Sequence, residues 1–195
     1  MAPDALLLDH WDLLEAGARR GPVLDLACGD GHNGLYAAEK GFSVILADRS
    51  ETSLKKAEFE TKRVKGEVTL WHVDLERGDD NPLPSEAYGV ILVFRYLHRP
   101  LVPCIKKALS GGGVLFYETF THEQPRFGKP KNPDFLLSPG ELLDWFKEWK
   151  VIHSFEGIQD HPKKAIAQIV CVKPEMKSAH ADFIRIMRTR RTLWR

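Results

Sequence analysis

A short segment near the N-terminus combines three glycines in the spacing G-x-G-x-x-G with two carboxylates: Gly29, Gly31, Gly34, Asp25 and Asp30. The apolar run at residues 22–28 is typical of a short buried strand, and residues 34–40 are typical of a helix. A glycine-rich turn between a strand and a helix presents bare backbone N–H groups to a ligand. The segment therefore predicts a cofactor-binding loop.

The two carboxylates indicate which class of cofactor suits this loop. A dinucleotide places its pyrophosphate on the helix N-terminus, where Asp25 and Asp30 would repel it. At about 4 Å and an effective dielectric constant of about 20, one such repulsion costs about 4 kcal/mol. S-adenosylmethionine is an adenosine cofactor that brings a sulfonium and an ammonium group instead of phosphates. The loop therefore favours S-adenosylmethionine over NAD.

Two further carboxylates end later apolar runs. Asp48 ends residues 42–48, where a carboxylate can accept hydrogen bonds from ribose hydroxyls in either kind of cofactor. Asp74 lies at the end of residues 67–74, where it can accept a hydrogen bond from the exocyclic amine of adenine. Both acids support an adenosine-containing cofactor, although Asp48 does not distinguish S-adenosylmethionine from a dinucleotide.

The elements that must position these residues alternate along the chain. We predict strands near residues 22–27, 42–48, 67–74, 88–94 and 112–118 and helices near residues 34–40, 50–65 and 101–109. This alternation indicates βαβ units and a mostly parallel sheet covered by helices on both faces. Ligands of such folds bind at the carboxyl ends of the strands, where the glycines and the acids lie.

Other segments complete the predicted domain. Residues 5–19 have the apolar spacing of an amphipathic helix, which we expect over the mouth of the cofactor site. Residues 119–137 form a long proline-rich connection, a length that is usually functional. Ser138 and Pro139 have the residue types that cap and begin a helix, which we predict to reach Trp149.

The order of these motifs resembles that of class I S-adenosylmethionine-dependent methyltransferases, at residues 25–31, 48, 74–75 and 88–94. Within that class the chain is most similar to the small tellurite-resistance-type methyltransferases, through CGDGHNGLY at 28–36 and SPGEL at 138–142 followed by Trp149. The resemblance covers residues 22–173. It implies a Rossmann-like α/β fold, doubly wound around a mostly parallel seven-stranded sheet with an antiparallel last strand. Residues 150–156 and 165–173 would then form the final hairpin.

The resemblance also implies S-adenosylmethionine as cofactor and a set of cofactor-binding residues. These are Asp25, Ala27, Cys28, Gly29, Gly31, Asn33, Asp48, Arg49, Asp74, Leu75, Phe94 and Arg95. The chain departs from the family after the fourth strand, in FRYLHR at 94–99, and after the fifth, in YETF at 117–120. These departures concern the methyl acceptor.

The candidates for contact with the acceptor are Arg95, Tyr96, His98, Tyr117 and Arg126. Arg95 and Arg126 would hold an anionic small molecule, because arginine fixes a carboxylate or phosphate in a defined geometry. Tyr96, His98 and Tyr117 would form the nearer wall. Two alternatives stay open, namely that these cations are solvated loop charges and that His98 caps a helix rather than acting as a general base.

Composition bounds these hypotheses. The chain has 195 residues, 43% of them hydrophobic and 28% charged, and a net charge of +1, which is ordinary for one globular domain and gives no reason to expect nucleic-acid binding. We assign residues 1–177 to the domain and residues 178–195, with five arginines and one aspartate, to a basic helix or tail. Three cysteines without metal-ligand spacing predict no metal site, and the absence of a leader or a long apolar segment predicts a cytoplasmic protein without membrane spans.

Two other functions remain as alternatives. An RNA methyltransferase that modifies amines carries an Asn/Asp-Pro-Pro-Tyr/Phe motif after the fourth strand, and one that modifies pyrimidine carbons carries a cysteine there. Residues 94–97 supply neither. A non-catalytic scaffold would have no need of the acids at positions 25, 48 and 74.

Overall fold

The computed structural model describes residues 2–77 and 82–175, and the predicted tail at 178–195 lies outside them. Seven strands form one sheet in the order β3-β2-β1-β4-β5-β7-β6. The strands are β1 (Val23–Leu26), β2 (Val44–Asp48), β3 (Val68–His72), β4 (Tyr88–Phe94), β5 (Leu109–Phe120), β6 (Lys150–Asp160) and β7 (Lys163–Val172). Strands β1 to β5 pair in parallel, and β7 is antiparallel to both β5 and β6. The predicted doubly wound sheet with an antiparallel last strand is confirmed.

Helices cover both faces of this sheet. They are α1 (Ala5–Asp9), α2 (Trp11–Ala18), α3 (His32–Glu39), α4 (Glu51–Thr61), α5 (Val102–Ala108) and α6 (Glu141–Phe146). Helices α1 to α4 contribute to one hydrophobic cluster, and α5 and α6 contribute to the other. The buried strand β4 serves both clusters, because Val90 and Leu92 point into the first while Ile91 and Val93 point into the second. Burial on both faces explains why its sequence is continuously apolar.

The N-terminal segment differs from the single helix predicted over residues 5–19. His10 has φ −127° and ψ 33°, outside the helical region, and separates α1 from α2. Its carbonyl accepts the N–H of Leu13 and so starts the second helix. Leu7 and Leu14 are both fully buried. Two short helices thus each bury an apolar side chain against the same sheet face.

Two other boundaries also differ. The helix predicted from Ser138 to Trp149 is shorter, because Gly140 adopts a left-handed conformation (φ 73°) and α6 begins only after it and ends at Phe146. The fifth strand, predicted near residues 112–118, begins earlier, at Leu109, and so includes all three glycines at 111–113. The register between β4 and β5 shifts there, so that Tyr88 pairs with Leu109 but Val90 pairs with Val114.

The connection that follows β5 runs across the carboxyl ends of the parallel strands. It contains two 3-10 turns, Gln124–Arg126 and Pro133–Phe135. Its ends are held together by backbone hydrogen bonds, because Leu137 donates to Phe120 (2.9 Å) and accepts from His122 (2.9 Å). This connection, residues 121–140, lies over the edge of the sheet at which the site residues gather, and we call it the roof.

We predict that Gly89→Ala destabilises the fold. A Cβ at position 89 would collide with the backbone of Gly17 and Gly21, where the end of α2 lies directly against β4. Because backbone atoms cannot rotate away, we expect a loss of about 1–3 kcal/mol in the free energy of unfolding, measured in urea. Gly157→Ala is the control, since its new Cβ would meet only the ring of Phe155, at 3.2 Å. Equal losses in the two variants would contradict this account.

Candidate cofactor and acceptor site

Two adjoining cavities lie at the carboxyl ends of the parallel strands. The larger, of about 470 Å³, is lined by the ends of β2 to β5 and by the roof, and the smaller, of about 310 Å³, is lined by the glycine loop and the end of β4. They share Ala27 and Arg95. Every predicted cofactor residue except Gly31 lines one of these two cavities. The residues predicted from the sequence thus lie together around these two cavities.

The glycine loop is built from three residues in the left-handed conformation. They are Ala27 (φ 51°), Gly29 (φ 56°) and Gly31 (φ 77°). A Cβ at Gly29 would meet no atom within 4 Å, whereas a Cβ at Gly31 would lie 2.9 Å from Leu46 Cδ1. Gly29 thus leaves open space for a ligand against the backbone. Gly31, which lies outside both cavities, allows the loop to pack on β2.

Asp25 places a carboxylate in the wall of the smaller cavity. It is 3% exposed, and its Oδ2 accepts the N–H of Gly34 at the start of α3 (2.8 Å). Burial raises the pKa of Asp25 to about 7, against the opposing effect of the Gly34 hydrogen bond. A nearby cation favours the charged form of a buried carboxyl group, whereas no such gain exists for an anion. Asp25 is therefore suited to a positively charged ligand.

The repulsion of a pyrophosphate is weaker than the sequence predicted. A pKa of about 7 leaves Asp25 only partly charged near neutral pH when no cation is close. The second carboxylate, Asp30, is paired with Lys56 at 3.3 Å. The preference of the loop for a cation therefore rests on the attraction by Asp25 more than on the combined negative charge.

Asp48 is held in place by two backbone groups. Its Oδ2 accepts the N–H of Gly29 and its Oδ1 accepts the N–H of Ser50, each at 2.7 Å. Each carboxylate oxygen keeps a further lone pair for a ligand. Asp74 also lines the larger cavity, and its Oδ1 accepts the N–H of Glu76 at 3.1 Å. The two carboxylates thus stand in fixed positions on neighbouring strand ends.

Arg95 belongs to a polar cluster beside the smaller cavity. Its guanidinium donates to both oxygens of Asp4, at 2.8 and 3.2 Å. Asp4 also accepts a hydrogen bond from Asn33 Nδ2 and lies 2.9 Å from His32 Nε2. Burial would raise the pKa of Asp4, but the contacts with His32, Arg95 and Asn33 hold it well below its ordinary range. This cluster ties the N-terminal segment to the cofactor loop.

Asp4 was missed by the sequence analysis. Its residue type and its place before an apolar helical segment are typical of a helix N-cap. Its side chain makes no capping hydrogen bond to α1 and instead faces the cavity cluster. Nothing in the local pattern indicates that a residue at position 4 would meet one at position 95.

The predicted acceptor wall is only partly formed. Tyr96 lines the larger cavity, and its buried hydroxyl has no hydrogen-bond partner among the described residues. Tyr117 is 1% exposed and packs on Phe146 in the core, and His98 lines neither cavity. The carbonyl of His98 accepts the N–H of Leu101 at the start of a 3-10 turn. Burial raises the pKa of both tyrosines, so that each is a neutral phenol near pH 7.

The predicted cations do not converge on one point. Arg126 is exposed, pairs with Glu123 at 2.8 Å and lies outside both cavities. Arg99 pairs with Glu141 at 2.6 Å. Arg95 and Lys129 do line the larger cavity. Arg49 lines it as well, so among the described residues the cations there are three and do not include Arg126.

Two further findings concern the described residues alone. Within residues 2–77 and 82–175, no group of three or more His, Cys, Asp or Glu side chains is arranged to hold a metal ion. The helices of the same ranges are too short or too polar to cross a bilayer.

The model of a methyltransferase domain family matches residues 23–113, which include the glycine loop, Asp48, Asp74 and Arg95. This match spans just under half of the chain. The cofactor of this family is S-adenosylmethionine. The methyltransferase domain match ends within β5, so the roof lies beyond it.

Proteins similar to the methyltransferase domain include two curated relatives. One is the probable S-adenosyl-L-methionine-dependent methyltransferase TehB of Haemophilus influenzae, 27% identical over 162 residues that cover 76% of this chain and 54% of TehB. The other is the tRNA 5-carboxymethoxyuridine methyltransferase of Escherichia coli, 25% identical over 166 residues that cover 72% of this chain and 64% of that protein. The chain thus matches between half and two thirds of the length of these relatives.

Solved structures share the fold of the methyltransferase domain. TehB from Haemophilus influenzae superimposes with a TM-score of 0.68 at 21% identity, over 84% of this chain and 62% of TehB. An S-adenosylmethionine-dependent methyltransferase from Methanosarcina mazei gives a TM-score of 0.66 at 13% identity, over 90% of this chain and all of that one. At these identities the likeness concerns the fold.

We predict that Asp25→Asn stabilises the cofactor-free protein at alkaline pH. The folded pKa of about 7 exceeds the ordinary value of 3.8, so the stability that the protonated form contributes is complete below about pH 4 and is lost as the pH rises through 7. Asparagine stays neutral and can still accept the Gly34 N–H. We therefore expect Asp25→Asn to be about 2–4 kcal/mol more stable than the wild type at pH 8, by denaturant unfolding.

The difference should shrink towards pH 5. Asp30→Asn is the matched control, because Asp30 is part of an exposed pair with Lys56. If the stability of Asp25→Asn follows that of the wild type at every pH, Asp25 is not a buried, destabilising carboxylate.

Proposed function

We propose that this protein is an S-adenosylmethionine-dependent methyltransferase that acts on a small-molecule acceptor. One observation carries the choice of acceptor. Besides the carboxylates assigned to the cofactor, the larger cavity is lined by apolar residues, among them Leu97, Phe120, Pro130 and Phe135. Its volume of about 470 Å³ is within the range of small-molecule sites.

The residues at the two cavities fit the cofactor. Asp25 would attract the ammonium group, and the open space above Gly29 leaves room for the chain of the ligand along the backbone. Asp48 would accept the ribose hydroxyls, and Asp74 with the following Leu75 would border adenine. These assignments follow the order of the strand ends across the sheet.

When bound, the cofactor would supply a methyl group on a positively charged sulfur: a lone pair of the acceptor would bond to the methyl carbon in line as the carbon–sulfur bond breaks and its electron pair goes to sulfur. The protein contributes orientation and a dry wall. Leu97, Phe120 and Phe135 would give the acceptor an apolar wall. Tyr96 is a neutral phenol whose side chain also lines this cavity. His98 lines neither cavity. The proton of the attacking group would therefore pass to solvent or to another group of the acceptor molecule.

A nucleic-acid acceptor is the rival proposal. One relative is a tRNA methyltransferase, and residues 178–195 carry five arginines. A base that enters a site must be unstacked and extruded, and proteins that do this use a basic surface for the backbone. The charged residues that line the larger cavity are three acids and three bases, Asp48, Asp74, Glu76, Arg49, Arg95 and Lys129. Acidic and basic residues are equal in number there, whereas a nucleic-acid backbone needs a basic surface. The lining therefore favours a small-molecule acceptor.

The cofactor assignment predicts binding of S-adenosylmethionine without binding of NAD, measured by calorimetry. Asp48→Ala should weaken S-adenosylmethionine by about 1.5–3 kcal/mol, the scale for hydrogen bonds to a charged group. Asp144→Ala is the control, since Asp144 lies on α6 beside Lys147 and lines neither cavity. Equal affinity for NAD, or an Asp48→Ala variant that binds like the wild type, would overturn the assignment.

The acceptor class is tested separately. The protein is incubated with S-adenosylmethionine labelled in the methyl group and with cell extract separated into metabolites, RNA and protein. We expect label in the metabolite fraction. Label in RNA alone would favour the rival, and cofactor binding without transfer to any fraction would indicate a non-catalytic scaffold.

A further inference from the structure

The roof brings two side chains to the acceptor end of the larger cavity. Lys129 and Phe135 both line it, from two separate stretches of the connection between β5 and α6. Phe135 is 46% exposed, although a phenylalanine ring gains free energy when it is removed from water. Within the described chain, the amine of Lys129 has no ion-pair partner, whereas Arg49 and Arg95 pair with Glu76 and Asp4. The cavity thus presents one open aromatic ring and one unpaired cation.

Both positions are held rigidly by residues outside the cavity. Gln124, 5% exposed, donates from Nε2 to the carbonyl of Lys129 (3.0 Å) and accepts the N–H of Ala165 on Oε1 (2.8 Å). Lys129 is therefore anchored to strand β7. An exposed loop lysine without such an anchor would have no fixed place in the cavity.

A second anchor fixes Phe135. The guanidinium of Arg99 donates to the carbonyls of Asp134 (3.0 Å) and Leu136 (2.9 Å), the residues on either side of Phe135. Glu141 holds the same guanidinium through two hydrogen bonds, at 2.6 and 2.9 Å. The ring is thus exposed on a backbone that is fixed on both flanks, which is the arrangement of a preformed stacking surface rather than of a solvated loop.

We propose that the acceptor is a planar aromatic acid whose ring stacks on Phe135 and whose anionic group pairs with Lys129. The proposal rests on the proposed methyltransferase function and names its substrate class. The neighbouring Phe120, Leu97 and Pro130 supply the apolar surface that a flat ring needs. Aromatic rings stack with offset faces, and a lysine pairs with carboxylates as a point charge without demanding a bidentate geometry.

The test measures binding to the full-length protein saturated with S-adenosylhomocysteine, by calorimetry. Three probes separate shape from charge: 2-naphthoate is flat and anionic, 2-naphthamide is flat and neutral, and cyclohexanecarboxylate is anionic but not flat. We expect 2-naphthoate to bind roughly tenfold more tightly than either of the others, the scale of one stacking contact or one partly shielded ion pair.

Two variants assign the contacts. Lys129→Gln should abolish the preference for 2-naphthoate over 2-naphthamide, and Phe135→Leu should abolish the preference over cyclohexanecarboxylate. The matched controls are Lys147→Gln and Phe59→Leu, an exposed lysine and an exposed phenylalanine that lie outside the larger cavity. The controls should keep both preferences.

The outcomes separate this inference from the assignment on which it rests. If S-adenosylhomocysteine binds all variants equally but 2-naphthoate has no advantage, or if its advantage survives both site variants, the aromatic-acid acceptor is wrong while the methyltransferase stands. If S-adenosylhomocysteine does not bind the wild type, the proposed function itself fails.

Discussion

The hydrogen bond between the buried carboxylate of Asp25 and the N–H of Gly34 is the constraint on which the cofactor half of the molecule depends. It fixes the first turn of α3 against the end of β1. The contact is close because residue 34 has no side chain, and a Cβ there would collide with Leu46 and approach Asp25 to 3.0 Å. The glycine loop between β1 and α3 therefore has little freedom in its path. The loop must turn within the few residues between β1 and α3, and three of them adopt the left-handed conformation to do so.

The same carboxylate sets the energetic character of the site. Burial raises its pKa and so disfavours its charged form when no cation lies beside it. A positively charged ligand reverses this preference. Stability and ligand binding thus compete at one residue, as is common where a protein keeps a polar group buried for function. Ala27 and Arg95, two non-glycine residues with positive φ that line both cavities, place backbone strain at the same location.

The sequence predicted which residues gather around the glycine loop because the signals there are local. Strand, glycine loop and helix follow each other within residues 22–40, and the acids that end β2 and β3 are read directly from the apolar runs before them. The order of parallel strands then places them on one edge of the sheet. The positions of Asp25, Asp48 and Asp74 along the cavities required no knowledge of distant contacts.

The acceptor half was less predictable because its side chains are directed by residues far away in the chain. Arginine is a common anion-binding residue, but Arg99 forms its ion pair with Glu141, which lies 42 positions later in the chain. Tyr117 lies in the core because β5 pairs with β4 and β7 on either side.

The two side chains that anchor the roof form hydrogen bonds to main-chain oxygens. Gln124 binds the carbonyl of Lys129, and Arg99 binds the carbonyls on either side of Phe135. A main-chain oxygen is present whatever amino acid occupies the position. The side chains at 129 and 135 can therefore be exchanged with little cost to the fold, while the methyl-donor half stays unchanged. Such a separation gives natural selection, and equally a protein engineer, a route to new acceptors through single substitutions in an intact framework.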